Sequence, residues 1–400
     1  MKIKIIFCAL VNPYRKHANG GSEDIRRRIE ALASIVDSVT IYAIDYPGEL
    51  VTPESLPVNI HLHLYERGID PRFWRWRYPL ACVRRYNHFM VMDIRQAIVQ
   101  CTDPLVLFIE GMQLFGLWSD IKSVVPQVAK VILRVINIES AYHHSVSLES
   151  RSFLKLAHKI SSLQYRPLEN ELLSDFTYLY AVSENEAEAL VLRYHLSADK
   201  VRLVLPIPTS KPCGARARRE DMPLILSYFG DLTLPNNYNG LHWFCDKVLT
   251  ELSGDSFELH VAGKGSEQFS AYDRVRACGF VDDIDAFVCA SQIVVAPIFS
   301  GAGVKIKVLD AIGYGKPLIT TPKGAEGFPL WLKNQLQIAS NAEEFVQLLS
   351  NMALFYDDFA TKAKGLQKEV SAKMGPIHLQ RQLLDDIKST TWCRGIARNG

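Results

Sequence analysis

Residues 296–328 read APIFSGAGVKIKVLDAIGYGKPLITTPKGAEGF and hold the side chains best suited to receiving an anion. Ser300-Gly301-Ala302-Gly303 is a loop without bulky side chains, lying between the end of an apolar strand and a helix expected over about 304–314. Free N–H groups at a helix start, together with glycines, let a phosphate approach the main chain through Gly301, Ala302, Gly303 and Val304. The helix dipole is worth only about 0.3–1 kcal/mol, so a diphosphate also calls for cations. Lys305 and Lys307 supply them from the first turns, with Asp310 close behind. Taken alone, a glycine motif of this kind is equally well an ordinary strand–helix turn with surface lysines.

The elements that must position this loop follow from length and patterning. Four hundred residues, 48% of them hydrophobic, are enough for two cores. Lys+Arg 45 against Asp+Glu 43 leaves a net charge of +2, without the basic bias of a nucleic-acid binder. Apolar strands are expected at 2–11, 39–44, 58–63, 104–109, 129–135, 177–182 and 201–205, with helical patterns between most of them. The first helix is expected from Ser22, which would cap it, after Gly20-Gly21 as a smaller anion seat. Residues 206–223, PIPTSKPCGARARREDMP, break the pattern and read as a linker. A second strand–helix series starts at Leu224 and closes with a helix over about 342–364, and a last helix spans roughly 376–388. Alternation of this kind means doubly wound parallel sheets, whose ligands bind beyond the carboxyl ends of the strands. The expected division is 1–205, a linker at 206–222, 223–370, and a segment 371–400 that crosses back to the first domain.

The 8 cysteines are scattered, with no C-x-x-C pair, which predicts a reducing compartment and neither a disulfide framework nor a zinc site. The N-terminal IIFCALV reads as a strand rather than a leader, and no window approaches the ~18–20 apolar residues of a membrane span. A cytoplasmic protein is expected on these grounds.

The series GDLTLPNNYNGLHWF, LHVAGKG, CGFVDDIDAFVCAS and the 296–328 stretch resembles the donor-binding domain of GT-B glycosyltransferases, above all the family-4 retaining group. Gly20-Gly21 and LRVINIESAYHH at 133–144 extend the likeness into the first half. The resemblance implies a GT-B fold, two Rossmann-like domains facing a cleft, and transfer of a sugar from a nucleotide sugar to a saccharide or lipid-linked acceptor. Retention, a role in surface-polysaccharide or lipopolysaccharide assembly, and no need of a metal or other cofactor are further implications. Asp310 would hold the ribose, the main chain at Phe280 and Val281 the base, and Gly301 to Val304 the diphosphate, with Gly20 and Gly21 approaching from the other domain. Lys305, Lys307 and Lys264 would clamp the phosphates, and Lys305, Lys307 and Asp310 are the expected catalytic set. Two departures stand out: Ala302 takes the place of a sugar-contacting Glu, and Asp231-Leu232-Thr233 follows Gly230 where an Arg and a Lys are usual. A non-catalytic sugar-binding GT-B subunit and a nucleotide-sugar epimerase are the alternatives.

Three further features each have two readings, and a fourth is set aside. His17 is a general base if the reaction inverts, or a surface-loop histidine. Asn137 and Glu139 face sugars in the cleft, or satisfy local backbone. His143 and His144 lack a metal-ligand partner at a useful spacing. Residues 67–86, RGIDPRFWRWRYPLACVRRY, interleave arginines with aromatics; they form a peripheral contact with an anionic membrane or lipid-linked acceptor, or a packed loop.

Overall fold

Strands that are apolar without alternation lie at the centre of each sheet, where both faces are covered. The computed structural model describes every residue except 1, 16–19, 49, 51–52, 54, 71–75, 127–128, 150–151, 215–221, 253, 302 and 389–400. The chain divides into two units, Met1–Leu205 with Pro376–Gly400, and Pro206–Gly375.

In the first unit the elements run β1 (Lys4–Ala9), α1 (Gly20–Ala33), β2 (Ser38–Asp45), β3 (Ile60–Glu66), α2 (Leu80–Val83), α3 (His88–Gln100) and β4 (Leu105–Glu110). They continue with α4 (Phe115–Ile121), β5 (Lys130–Val135), α5 (Glu139–Glu149), α6 (Ser152–Leu172), β6 (Tyr178–Ala181), α7 (Glu184–Tyr194) and β7 (Val201–Leu203). The sheet is parallel, in the order β3-β2-β1-β4-β5-β6-β7. β4 and β5 are buried at every position, whereas edge strand β3 alternates. Local chemistry sets the helix ends: Ser183 caps α7 by accepting the Glu186 N–H, and its hydroxyl donates to the Glu186 carboxylate.

The second unit holds β8 (Leu224–Phe229), α8 (Pro235–Phe244), β9 (Phe257–Ala262), β10 (Val275–Gly279), α9 (Ile284–Cys289), β11 (Ile293–Ala296) and α10 (Ile306–Gly313). After these come β12 (Leu318–Thr320), α11 (Leu330–Lys333), β13 (Gln337–Ile338), α12 (Ala342–Leu354) and α13 (Tyr356–Met374). Its sheet is also parallel, ordered β10-β9-β8-β11-β12-β13. The final helix, α14 (Pro376–Lys388), packs in the first unit, where the Gln380 amide donates to the Ala31 carbonyl at 3.1 Å.

Three expectations change. Ser22 does not cap α1: the helix already includes Gly20, and Ser22 is buried within it. The helix expected over 342–364 is two, broken at Phe355, whose backbone (φ −120°, ψ 39°) is not helical. Cys213 and Cys289 form a disulfide, with Cα atoms 5.2 Å apart across 76 residues. No spacing rule anticipates it, because the pairing arises only when residues 206–214 fold back onto the second unit, where the Cys213 N–H donates to the Tyr314 carbonyl at 2.9 Å.

Candidate functional site

The order of the second sheet reverses between β8 and β11, so the loops leaving these strands diverge and open a crevice at their carboxyl ends. Gly230 ends β8. A Cβ there would lie 3.0 Å from Lys307 Nζ, so any side chain at 230 would press on the ammonium. Gly263 ends β9 so close by that a Cβ on it would fall 2.0 Å from the Gly230 carbonyl oxygen. Its N–H in turn donates to the Gly279 carbonyl, at the end of β10, at 2.7 Å.

Lys307, in the first turn of α10, is the centre of this arrangement. The residue is half-buried with its ammonium turned inward, and Nζ sits 3.7 Å from the centroid of the Tyr228 ring, a cation–π seat. Its hydrogen-bond partner is Asn237 Oδ1 at 3.4 Å. Asn237 is itself fixed, donating through Nδ2 to the Asp231 carbonyl at 2.8 Å and accepting from the Tyr228 hydroxyl on its own carbonyl at 3.3 Å. Among the described residues no carboxylate lies within ion-pair distance of Lys307. Burial accordingly pushes its pKa down to about 7. A buried ammonium without a counter-ion costs several kcal/mol, and a cation in the first turn opposes the helix dipole. Both costs fall when an anion enters.

The neighbouring residues divide the remaining work. Lys305 occupies the N-cap position of α10 in an extended conformation and turns back, donating to the Gly301 and Gly303 carbonyls at 3.0 and 2.7 Å. It therefore braces the glycine loop. Gly301, exposed with φ +101°, and the half-buried Gly303 and Val304 follow the end of β11, while Ala302 lies outside the described residues. Asp310 is 9% exposed, and its Oδ1 accepts the Thr209 N–H at 3.2 Å. A Cβ on Gly313 would meet the Thr209 carbonyl at 2.6 Å, so the segment 206–214 forms a strap that at Thr209 lies flat on α10. One carboxylate oxygen of the expected ribose ligand is thus engaged by the backbone. Lys264 is exposed between two glycines, and its carbonyl accepts the Leu232 N–H at 2.8 Å. Phe280 (54% exposed) and half-buried Val281 occupy the loop after β10.

In the first unit Gly20 and Gly21 are exposed in the first turn of α1, and His17 lies outside the described residues. Asn137, half-buried, and Glu139 follow β5. Glu139 is 2% exposed; its Oε1 accepts from Gln113 Nε2 at 2.6 Å. Burial first, then Glu169, raises its pKa to about 8, against the opposing pull of Arg85. His143 Nε2 lies 3.7 Å from Glu139 Oε2, and its Nδ1 shares a proton with His158 Nδ1 at 2.8 Å. Burial and the His158 ring lower its pKa to about 4. Tyr228, Asn237 and Gln113 escape a reading of the sequence, because an aromatic in a strand and amides near helix starts are ordinary. In the 67–86 stretch Tyr78 and Tyr86 are core residues, Trp76 is exposed, and 71–75 lie outside the described residues.

Comparison with known proteins matches residues 223–353 to the family model described as "Glycosyl transferases group 1". A Klebsiella pneumoniae protein described as an uncharacterized 44.6 kDa protein in the cps region is 25% identical over 253 residues, 58% of this chain. The match spans 62% of that relative's length. Sucrose-phosphate synthase from Thermosynechococcus elongatus superposes with a TM-score of 0.68 at 15% identity, covering 96% of this chain and 98% of its own. Anabaena HepE, solved with UDP and glucose, gives a TM-score of 0.64 at 12% identity, covering 97% and 100%. The lipopolysaccharide outer core galactosyltransferase WaaB gives 0.58 at 14%, covering 96% and 99%.

Proposed function

We propose, from the premise that residues 223–353 are a group 1 glycosyl transferase domain within a chain of GT-B fold, that the protein moves a sugar from a nucleotide sugar to a saccharide or lipid-linked acceptor. The observation that carries this reading is Lys307, a buried ammonium without a carboxylate partner at the β8/β11 crevice. A diphosphate there gains the Lys307 charge and the main-chain N–H groups around 301–304. As the bond from the sugar's anomeric carbon to the phosphate oxygen breaks, negative charge grows on the diphosphate. A preorganised cation is most effective at that moment. The acceptor hydroxyl bonds to the anomeric carbon from the same face and gives its proton to the departing phosphate, so configuration is retained without a protein base.

In this reading Lys307 supplies the positive charge and the reaction needs no metal. Asp310 holds the ribose from the second turn of α10. The loop at Phe280 and Val281 meets the base, and Asn137 lies on the acceptor side. UDP in the HepE complexes makes a uridine diphosphate sugar the first donor to try. The cps-region relative and the lipopolysaccharide galactosyltransferase support a role in assembling a surface polysaccharide, at the inner face of the membrane.

The test is release of nucleoside diphosphate from a panel of nucleotide sugars, with and without saccharide and lipid-linked acceptors. Transfer should yield free diphosphate and a glycosylated acceptor. Binding with no turnover of any donor would point to a non-catalytic subunit, and an altered sugar still on its nucleotide to an epimerase.

A further inference from the structure

α6 carries two apolar faces, of which the fold uses one. Tyr165, Leu168 and Leu172, at 0–1% exposure, pack into the first unit's core. On the opposite side Phe153, Leu156, Ile160 and Leu163 follow one another at i, i+3, i+7 and i+10, a stripe along the helix. All four are exposed, at 78%, 55%, 47% and 65%. Single exposed apolar residues need no explanation, but an aligned stripe of four does.

Charge identifies the occupant. At 100° per residue, Lys155, Lys159 and Arg166 fall together on one flank of the stripe, and all three are exposed. From residue 150 to 168 the sequence holds no Asp or Glu. Beside the helix, Trp76 is 86% exposed, and its carbonyl accepts from Gln164 Nε2 at 2.6 Å, which adds an interfacial aromatic to the patch. A second copy docking through the same face would bring lysine toward lysine with no carboxylate to meet it. A bilayer with anionic headgroups satisfies both halves of the face, since apolar side chains enter the acyl boundary while the lysines stay at the phosphates.

We propose that the exposed face of α6 docks the protein on an anionic membrane surface. This extends the membrane contact from the 67–86 loop, which keeps Trp76 in the patch although Tyr78 and Tyr86 are core residues, to the neighbouring helix. It does not rest on the reading of the second unit's crevice, and its test involves no catalysis.

The experiment is flotation of the full chain with vesicles of phosphatidylcholine, alone or mixed with phosphatidylglycerol. The wild type should float with the mixed vesicles and stay behind with the neutral ones. Phe153→Ser/Leu156→Ser/Ile160→Ser/Leu163→Ser and Lys155→Glu/Lys159→Glu should each weaken binding more than tenfold, with circular dichroism unchanged because these side chains leave no core. Leu192→Ser, at an exposed leucine of α7, should bind as the wild type does. No flotation of the wild type with the mixed vesicles, or undiminished flotation of both α6 variants, overturns the proposal. So does a wild-type dimer in light scattering that the serine variant dissolves, which would make a second copy the occupant.

Discussion

Arg28 in the first unit and Lys307 in the second hold their charge in opposite ways. At the end of β4 in the first unit, Arg28 lies between two carboxylates, donating to Glu110 at 2.7 Å and to Asp24, with its side chain 1% exposed. Glu139, which lacks such a cation, has its pKa raised to about 8 and so sits mainly as the neutral acid at pH 7. The first unit thus pairs Arg28 and keeps Glu139 neutral, while the buried Arg134 guanidinium is held by the Val204 carbonyl. In the second unit the Lys307 ammonium is buried over a tyrosine ring with an amide oxygen for company and has its pKa lowered to about 7. The paired charge of Arg28 belongs to the scaffold, whereas on the proposed reading the counter-ion of Lys307 arrives from outside.

The largest effect expected of this contrast is on the scaffold side. Arg28→Met leaves Asp24 and Glu110 facing each other in the core and should lower stability by about 3–5 kcal/mol, measured by urea unfolding. Next comes the strap that engages Asp310. Cys213→Ser opens the link to Cys289 and should cost about 2–4 kcal/mol. Wild-type protein treated with a reductant should then unfold at the same urea concentration as the variant. A smaller change probes the seat of Lys307. Asn237→Ala removes its hydrogen-bond acceptor and should weaken UDP binding by about 1 kcal/mol, roughly fivefold, in calorimetry, with unfolding little altered. If Arg28→Met proves mild while Asn237→Ala unfolds the protein, the division between scaffold and site collapses.

Much of this was legible in the sequence, for definable reasons. Short, mostly apolar runs such as LVLFIE and KVILRV fit doubly covered strands, and their alternation with amphipathic segments points to a parallel sheet. The glycine loop and Lys307 were visible because phosphate chemistry demands those residue types at a helix start. Residues that act through tertiary position were not visible. Lys305 and Lys307 are two residues apart, yet one turns back on the loop carbonyls and the other lies over Tyr228, and no local rule separates them. The same holds for Cys213 and Cys289, and for Thr209, whose amide meets Asp310 from 101 residues away. α6 conceals its second apolar face for a related reason. In a sequence, Phe153 and Ile160 look like core until the structure shows Tyr165 and Leu168 filling that place.

The central claim, that Lys307 waits for a diphosphate, has a direct measurement: calorimetric titration of UDP into the wild type and Lys307→Met across pH. In the free protein Lys307 loses its proton at about pH 7, well below an ordinary lysine. A bound diphosphate favours the charged form and raises that value, so above about pH 7 binding must take up a proton. Wild-type affinity should therefore fall with rising pH by up to tenfold per unit, with uptake read from buffers of different ionisation enthalpy. Titration of the nucleotide itself is common to both proteins and cancels in the comparison. Lys307→Met should fold at least as stably, bind UDP more than tenfold weaker below pH 7, and show no proton uptake from this group. Equal affinity of the two proteins, with the same pH profile, would contradict the account.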